Sequence, residues 1–342
     1  GVGHFSKSTG LPDLFITGSC VSSADYDRDG DMDLFIGVRA IPWKYGVRPD
    51  SYILQNDGVG NFKDVTMQVA KPLQKIGFVK SAIWADIDSD QDEDLVIAGD
   101  WMPITILVNE NGNFKSLEKT GIENELGWWN AVEAVDYDTD GDLDLIAGNL
   151  GLNSKLKASP SEPLRMYVRD FDNNETLEQI LTHYIDGKEY PFNTRDELTK
   201  QLPGLKKKYL SYAKFGEAEF NDIFSREELK LAEKFEVNRL KSVIIENLGN
   251  SKFKMTDLPK AAQFSPTMSI LVDDVDDDTL PDLILGSNFF PINIQMGRYD
   301  GSYGTVLRNK GKSFEAIPQS KTGWSIKGEV RHLVKIKIKG SK

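Results

Sequence analysis

One pattern recurs along the chain and restricts its fold more than any other. An apolar strand leads into Asp-x-Asp-x-Asp-x-x-x-Asp, then Leu and a second apolar strand ending in Gly. The first copy holds Asp25, Asp27, Asp29, Asp31 and Asp33 and enters Leu34-Phe35-Ile36-Gly37. The pattern returns at Asp86, Asp88, Asp90, Asp92 and Asp94, and again at Asp136, Asp138, Asp140, Asp142 and Asp144. A further copy holds Asp274, Asp276, Asp278, Leu280 and Asp282, and a degenerate one holds Asp170, Asp172, Asn174, Thr176 and Glu178.

A second element follows at variable distance: an apolar strand, Asn, a Gly-bearing turn and Phe. It reads Ile53-Leu54-Gln55-Asn56 to Phe62, Leu107-Val108-Asn109 to Phe114, Ile245-Glu246-Asn247 to Phe253, and Leu307-Arg308-Asn309 to Phe314. Short strands around Gly/Asn/Asp turns are hairpin signals. The two elements together give four antiparallel strands, the unit of one propeller blade. The expected class is all-β, a β-propeller of six or seven blades with about five in this chain. Gly1–Phe5 reads as the tail of a hairpin from a preceding blade, and 329–334 as the first strand of a following one.

Acids at positions 1, 3, 5 and 9 of a tight loop bring hard oxygens to one point, and the position-7 carbonyl adds another. That donor set suits Ca²⁺, whereas Zn²⁺ favours His or Cys. Without a cation, clustered carboxylates raise one another's pKa. An EF-hand shares the first acids but needs a bidentate acid at position 12. Here position 12 is Ile36, Ile97, Ala147 or Leu285, each in an apolar strand. Four Ca²⁺ ions are expected, with a fifth at the Asp170 loop. Gly30 and Gly141 stand at position 6, where the loop turns sharply; Gln91, Thr279 and Glu175 suit it less well.

The formal charge of −12 excludes the basic face that nucleic acid requires, and bound calcium offsets much of it. No apolar run reaches the roughly 18–20 residues of a membrane span. One cysteine, Cys20, excludes an intrachain disulfide framework. Between 195 and 241 the strand pattern lapses into apolar residues three and four apart among Lys and Glu, predicting two or three amphipathic helices. Ser225 with Glu228 forms a capping box there. The chain therefore divides into blades over 1–194, a helical insertion over 195–241 and blades over 242–342.

These loops and hairpins resemble FG-GAP/VCBS repeats, the blades of integrin-α-like propellers. Gly148-Asn149-Leu150-Gly151-Leu152-Asn153 and Gly297-Arg298-Tyr299-Asp300 are similar to the C-terminal propeller region of large Bacteroidota surface repeat lipoproteins. That resemblance implies export, an extracellular or outer-membrane-associated location, and calcium.

In such a blade the calcium loops and the Asn-Gly-Phe turns share one face. The long loops on the other face carry Arg39, Trp43, Tyr45, Trp101, Phe290, Arg298 and Tyr299, a candidate recognition set. Of Trp128 and Trp129, one is expected in the core. The expected function is a non-enzymatic, calcium-stabilised propeller serving as a protein-binding or scaffold module at the cell envelope. The alternatives are a carbohydrate-binding propeller and a calcium-dependent polysaccharide-degrading enzyme. Three scattered His and no HExxH, GxSxG or P-loop pattern weigh against the last.

Overall fold

The computed structural model describes residues 9–293 and 296–336; Gly1–Phe5, with its expected hairpin tail, lies outside them. The first sheet pairs β1 (Thr17–Ala24), β2 (Asp33–Ala40), β3 (Tyr52–Asn56) and β4 (Phe62–Asp64) in sequence order, all antiparallel. The second repeats the plan with β5 (Phe78–Ala85), β6 (Asp94–Met102), β7 (Thr105–Asn109) and β8 (Phe114–Ser116). A two-residue strand, β9 (Gly127–Trp128), adds to β6.

The third sheet begins with β10 (Ala131–Val135) and β11 (Asp144–Gly148) but is interrupted. Four strands intervene before it is completed: β12 (Leu164–Arg169), β13 (Glu178–Ile185), β14 (Lys188–Pro191) and β15 (Glu233–Val237). They form a sheet of their own in the order β14-β13-β12-β15. Only then do β16 (Val243–Asn247) and β17 (Phe253–Asp257) pair onto β11. The last sheet is β18 (Thr267–Asp273), β19 (Asp282–Ser287), β20 (Thr305–Asn309) and β21 (Phe314–Ala316).

The described residues thus hold five antiparallel sheets, one of them inserted between the second and third strands of another. The helical stretch is part of that insertion and differs from the two or three helices expected over 195–241. Five short helices run from Arg195 to Lys230, and Glu233–Val237 is a strand. The strand follows from Phe235 and Val237, buried at period 2 beside outward-facing acids and Lys234. Ser225 does cap its helix: Glu228 N–H donates to the Ser225 hydroxyl at 3.2 Å, and Ser225 N–H to the Glu228 carboxylate at 2.7 Å. Leu198, Tyr209, Phe220 and Phe224 pack the helices onto Tyr167 and Ile180 of the inserted sheet.

Neighbouring sheets meet through apolar clusters. Tyr26, Phe35 and Ile53 pack against Val79, Leu95 and Phe114 between the first and second sheets. Val96 and Ile106 pack against Trp129, Leu145 and Ile245 between the second and third. Ile146 and Ile244 meet Leu283 and Leu307 between the third and last. All nine residues of β6 are buried, as expected of a strand covered on both faces. The repeat's strand-ending glycines permit this closeness: a Cβ on Gly148 would lie 2.7 Å from the Thr267 carbonyl oxygen of the last sheet.

The first strands of these four sheets, β1, β5, β10 and β18, line one cavity of about 660 Å³ together with Arg331, His332 and Leu333. Segment 329–334 forms no strand ladder. Val330 N–H donates to the Ser287 carbonyl at 3.0 Å and Leu333 N–H to the Ser269 hydroxyl at 2.9 Å.

Candidate functional site

Each acidic loop joins the first and second strands of its sheet, or β12 to β13 in the insertion. All five close in nearly the same way. The position-1 carboxylate accepts the N–H of position 6 in every loop and that of position 5 in four: Asp136 from Asp140 and Gly141, both at 3.2 Å, and Asp86 from Asp90 and Gln91 at 3.0 and 2.9 Å. In the first loop Asp25 accepts from Gly30 at 3.1 Å, and the Asp29 N–H turns to Asp27 at 3.3 Å. The position-5 side chain accepts the N–H of position 7, as Asp29 does from Asp31 and Asn174 from Thr176. Positions 4 and 6 have positive φ throughout, including Gln91 at 77°, Glu175 at 68° and Thr279 at 74°. The loop therefore keeps its path where Gly is absent, at the cost of backbone strain.

This closure gathers the acids. Three carboxylates in every loop bring an oxygen within 4.8 Å of one another: Asp25, Asp27 and Asp29; Asp86, Asp88 and Asp90; Asp136, Asp138 and Asp144; Asp170, Asp172 and Glu178; Asp274, Asp276 and Asp282. One oxygen of Asp25, Asp31, Asp138, Asp142 and Asp276 is buried without a hydrogen-bond partner. Hard, anionic, unpaired oxygens at this spacing fit a calcium ion, which takes six to eight of them. Position 7 was expected to offer its backbone carbonyl; at Asp31 and Asp142 it also buries a carboxylate oxygen.

The position-9 acid has a second task. Asp33, Asp94, Asp144 and Asp282 are almost fully buried. Each accepts the backbone N–H of the hairpin Asn, Asn56, Asn109, Asn247 or Asn309, at 2.7–2.8 Å. Asp94 also accepts the Ile87 N–H at 2.9 Å, and Asp144 that of Tyr137 at 3.3 Å. Burial pushes the carboxyls of Asp33, Asp94 and Asp144 up to about 7; neighbouring acids add to this and the backbone N–H donors oppose it.

The Asn side chains, readable in the sequence only as turn residues, are clamps between sheets. Asn109 Nδ2 donates to the Tyr26 carbonyl of the first sheet at 2.8 Å. Asn247 reaches Ile87 of the second at 3.0 Å, and Asn309 reaches Tyr137 of the third at 2.7 Å. The residue before each Asn sets the surroundings of a loop. Gln55 donates to Asp27 at 2.6 Å, and Arg308 pairs with Asp276 at 2.6 Å. Val108 and Glu246 hold the same position in the second and third sheets.

At the other ends of the same strands lies a cleft of about 410 Å³. The eight residues of β5 set the two sites roughly 25 Å apart. Of the candidate recognition residues, Arg39, Tyr45, Trp101 and Tyr299 line this cleft. Trp43 is fully exposed, and Phe290 and Arg298 stack on each other at 3.6 Å outside the lining. Trp129 is the core member of its pair, donating from Nε1 to the Met102 carbonyl at 3.0 Å. Trp128 instead faces the cleft, edge-on to Trp101 at 5.1 Å.

The floor is polar, and sequence reasoning missed most of it. Asp100 accepts from Arg39 Nε at 3.0 Å and from Lys80 Nζ at 3.1 Å, and Lys80 also donates to Asn130. Burial pushes the Lys80 ammonium down, against the pull of Asp100. These residues are far apart in sequence and lie at strand ends, so no local motif marks them. Leu181, Phe192 and Asn193 of the inserted sheet's β13 and the segment after β14 complete the wall.

Residues 86–147, from the second acidic loop into the strand after the third, match the family model of the FG-GAP-like repeat. The chain therefore carries an FG-GAP-like repeat, and the other acidic loops follow the same pattern. Among solved structures, a lectin of Agrocybe aegerita that recognises non-reducing terminal N-acetylglucosamine is similar at 15% identity and a TM-score of 0.32. That alignment covers 92% of this chain and 70% of the lectin. The V. cholerae biofilm matrix protein Bap1 is similar at 14% identity and a TM-score of 0.33, over 91% of this chain and 40% of Bap1. No curated protein sequence matches the chain. No helix among the described residues is long and apolar enough to cross a membrane.

Proposed function

We propose that this chain is a calcium-stabilised β-propeller segment that acts as a non-enzymatic recognition or scaffold module outside the cell. The observation that carries the reading is the Asn clamp, which ties the second sheet to the first, the third to the second and the last to the third, while the first strands of these four sheets line a common cavity. A repeated clamp of this kind is how successive blades close around an axis. The acidic loops then rim one face, and calcium binding there becomes folding energy. The opposite face, freed from that task, presents a cleft of rings and a tied polar floor on a rigid base, the arrangement that suits recognition. The resemblance of the repeats to surface propellers supports a place at the cell envelope.

Two measurements test this. Metal analysis of protein dialysed against calcium should return four to five ions per chain; one or none would refute the scaffold half. Capture of envelope proteins by the calcium-loaded chain should be lost in Trp128→Ala. If capture is unchanged while a glycan array responds, the module reads sugars instead.

A further inference from the structure

The cleft of the recognition face carries more than general stickiness. Its walls are apolar: Trp101, Trp128, Leu156, Phe192 and Phe289 among them. Its floor is cationic in a chain whose overall charge is −12. Arg39, Lys80 and Arg331 converge there, against Asp100 and the Glu329 partner of Arg331 at 3.0 Å. Asp100 is buried and neutralised by two cations at once, leaving the cluster with an excess of positive charge. Arg39 keeps about half of its side chain exposed. Arg331 stacks over Phe289 at 4.7 Å, so it borders both charge and ring.

A third feature narrows the occupant. Asn193 lines the cleft, and its side-chain carbonyl oxygen is buried with no hydrogen-bond partner. A buried acceptor of this kind is costly unless a donor meets it. A ligand that satisfies all three features has an anion for the cationic floor, an N–H for Asn193 and a large apolar group for the rings.

We propose that the cleft binds the C-terminal residue of a protein partner, through its free α-carboxylate, its backbone N–H and a large apolar side chain. The proposal rests on the recognition face assigned above and names its ligand. The carboxylate sits toward Arg39 and Arg331, the peptide N–H toward Asn193, and the side chain against Trp101 and Trp128. Sugars fit less well, because the walls offer few polar partners for hydroxyl groups.

Three small probes separate the contributions by isothermal titration of the calcium-loaded chain: N-acetyl-phenylalanine, its C-terminal amide and 3-phenylpropionate. N-acetyl-phenylalanine should bind with a dissociation constant on the order of 1 mM, as a ligand this small allows. The amide, which lacks the charge, should bind at least about tenfold more weakly. 3-Phenylpropionate, which lacks the N–H, should fall between them. Arg39→Gln should remove the difference between acid and amide, and Trp128→Ala should weaken both. Equal binding of acid and amide to the unaltered chain, or no heat from any probe at 10-fold that concentration, overturns the proposal. Binding of 3-phenylpropionate as tight as that of N-acetyl-phenylalanine overturns the peptide source. The calcium-induced rise in melting temperature reads the scaffold separately, so failure of the cleft and failure of the propeller reading are distinguishable.

Discussion

The two ends of the strands are built by opposite rules. At one end five loops repeat nearly the same hydrogen bonds, the same pair of positive-φ positions and a gathering of three carboxylates, from positions 1, 3 and either 5 or 9. At the other end the positions recur but the side chains do not: Arg39 and Asp100 hold the same place in the repeat, as do Lys80 and Asn130, and each pair differs in charge. The difference follows from what each end must do. Every sheet must be tied to its neighbour, so the tie is copied with the repeat. A single ligand of the kind proposed for the cleft would have to be met only once, so one repeat position can carry a different side chain in each sheet.

The sharpest way to break this comparison is to remove calcium. With four or more sites each contributing about 2–3 kcal/mol at 100 times the dissociation constant, chelation should lower the melting temperature by more than about 10 °C. An unchanged melt would mean the loops hold themselves shut. Asp144→Asn should come close to this at one site. Its new amide group would face the Tyr137 and Asn247 N–H donors where a carboxylate now accepts both, costing about 2–4 kcal/mol and the third ion. Urea unfolding and metal analysis of the variant would measure both losses.

The sign of the pH dependence sharpens the same contrast. Asp33, Asp94 and Asp144 are raised to about 7 by burial, so the calcium-free fold prefers them protonated. Their contribution to calcium-free stability is present below the ordinary carboxyl pKa of about 4 and is lost as pH rises through 7. Protons and calcium compete for these oxygens. The calcium-induced gain in melting temperature should therefore grow between pH 5.5 and 8, which paired thermal scans at each pH would show.

The legibility of the sequence divides along the same line. The acidic loops were plain because their acids lie two and four residues apart, so spacing alone carries the geometry. The clamps were not, because Asn109, Asn247 and Asn309 donate to carbonyls 83, 160 and 172 residues away. The inserted sheet was hidden for a related reason. Its Asp170 loop follows the repeat's local pattern, so it reads as a fifth member of the series. Only the pairing of β16 onto β11 shows that it interrupts the third sheet. Of the seven aromatic and arginine residues offered as a recognition set, four line the cleft: Arg39, Tyr45, Trp101 and Tyr299. Trp43 does not, since loop position alone does not say which way a ring faces. Lys80, Asp100 and Asn130 looked like ordinary strand-end polar residues until three strands brought them together.

The acidic loops themselves are not equal, and the residue before the hairpin Asn separates them. In the last sheet Arg308 occupies Asp276, the position-3 acid, with its own positive charge. A calcium ion there must displace or tolerate that guanidinium. Arg308→Ala should therefore tighten the last site by about tenfold, close to 1.4 kcal/mol, without moving the other four loops. Site-resolved calcium titration would check it, and an unchanged affinity would mean Arg308 swings clear at no cost.

The smallest expected effect concerns the backbone. Thr279 holds the position-6 turn at φ 74°, a conformation that Gly30 and Gly141 meet without a Cβ. Thr279→Gly removes that strain, worth about 1 kcal/mol, but returns part of it by freeing the unfolded chain. The net gain should be about 0.5 kcal/mol, read in urea unfolding of the calcium-free protein. With calcium bound, the same change should also raise the last site's affinity slightly, because the loop no longer resists the closed shape. If the variant is instead less stable in both states, the Thr279 N–H to Asp274 bond at 2.8 Å needs the stiffness of a β-branched residue to form.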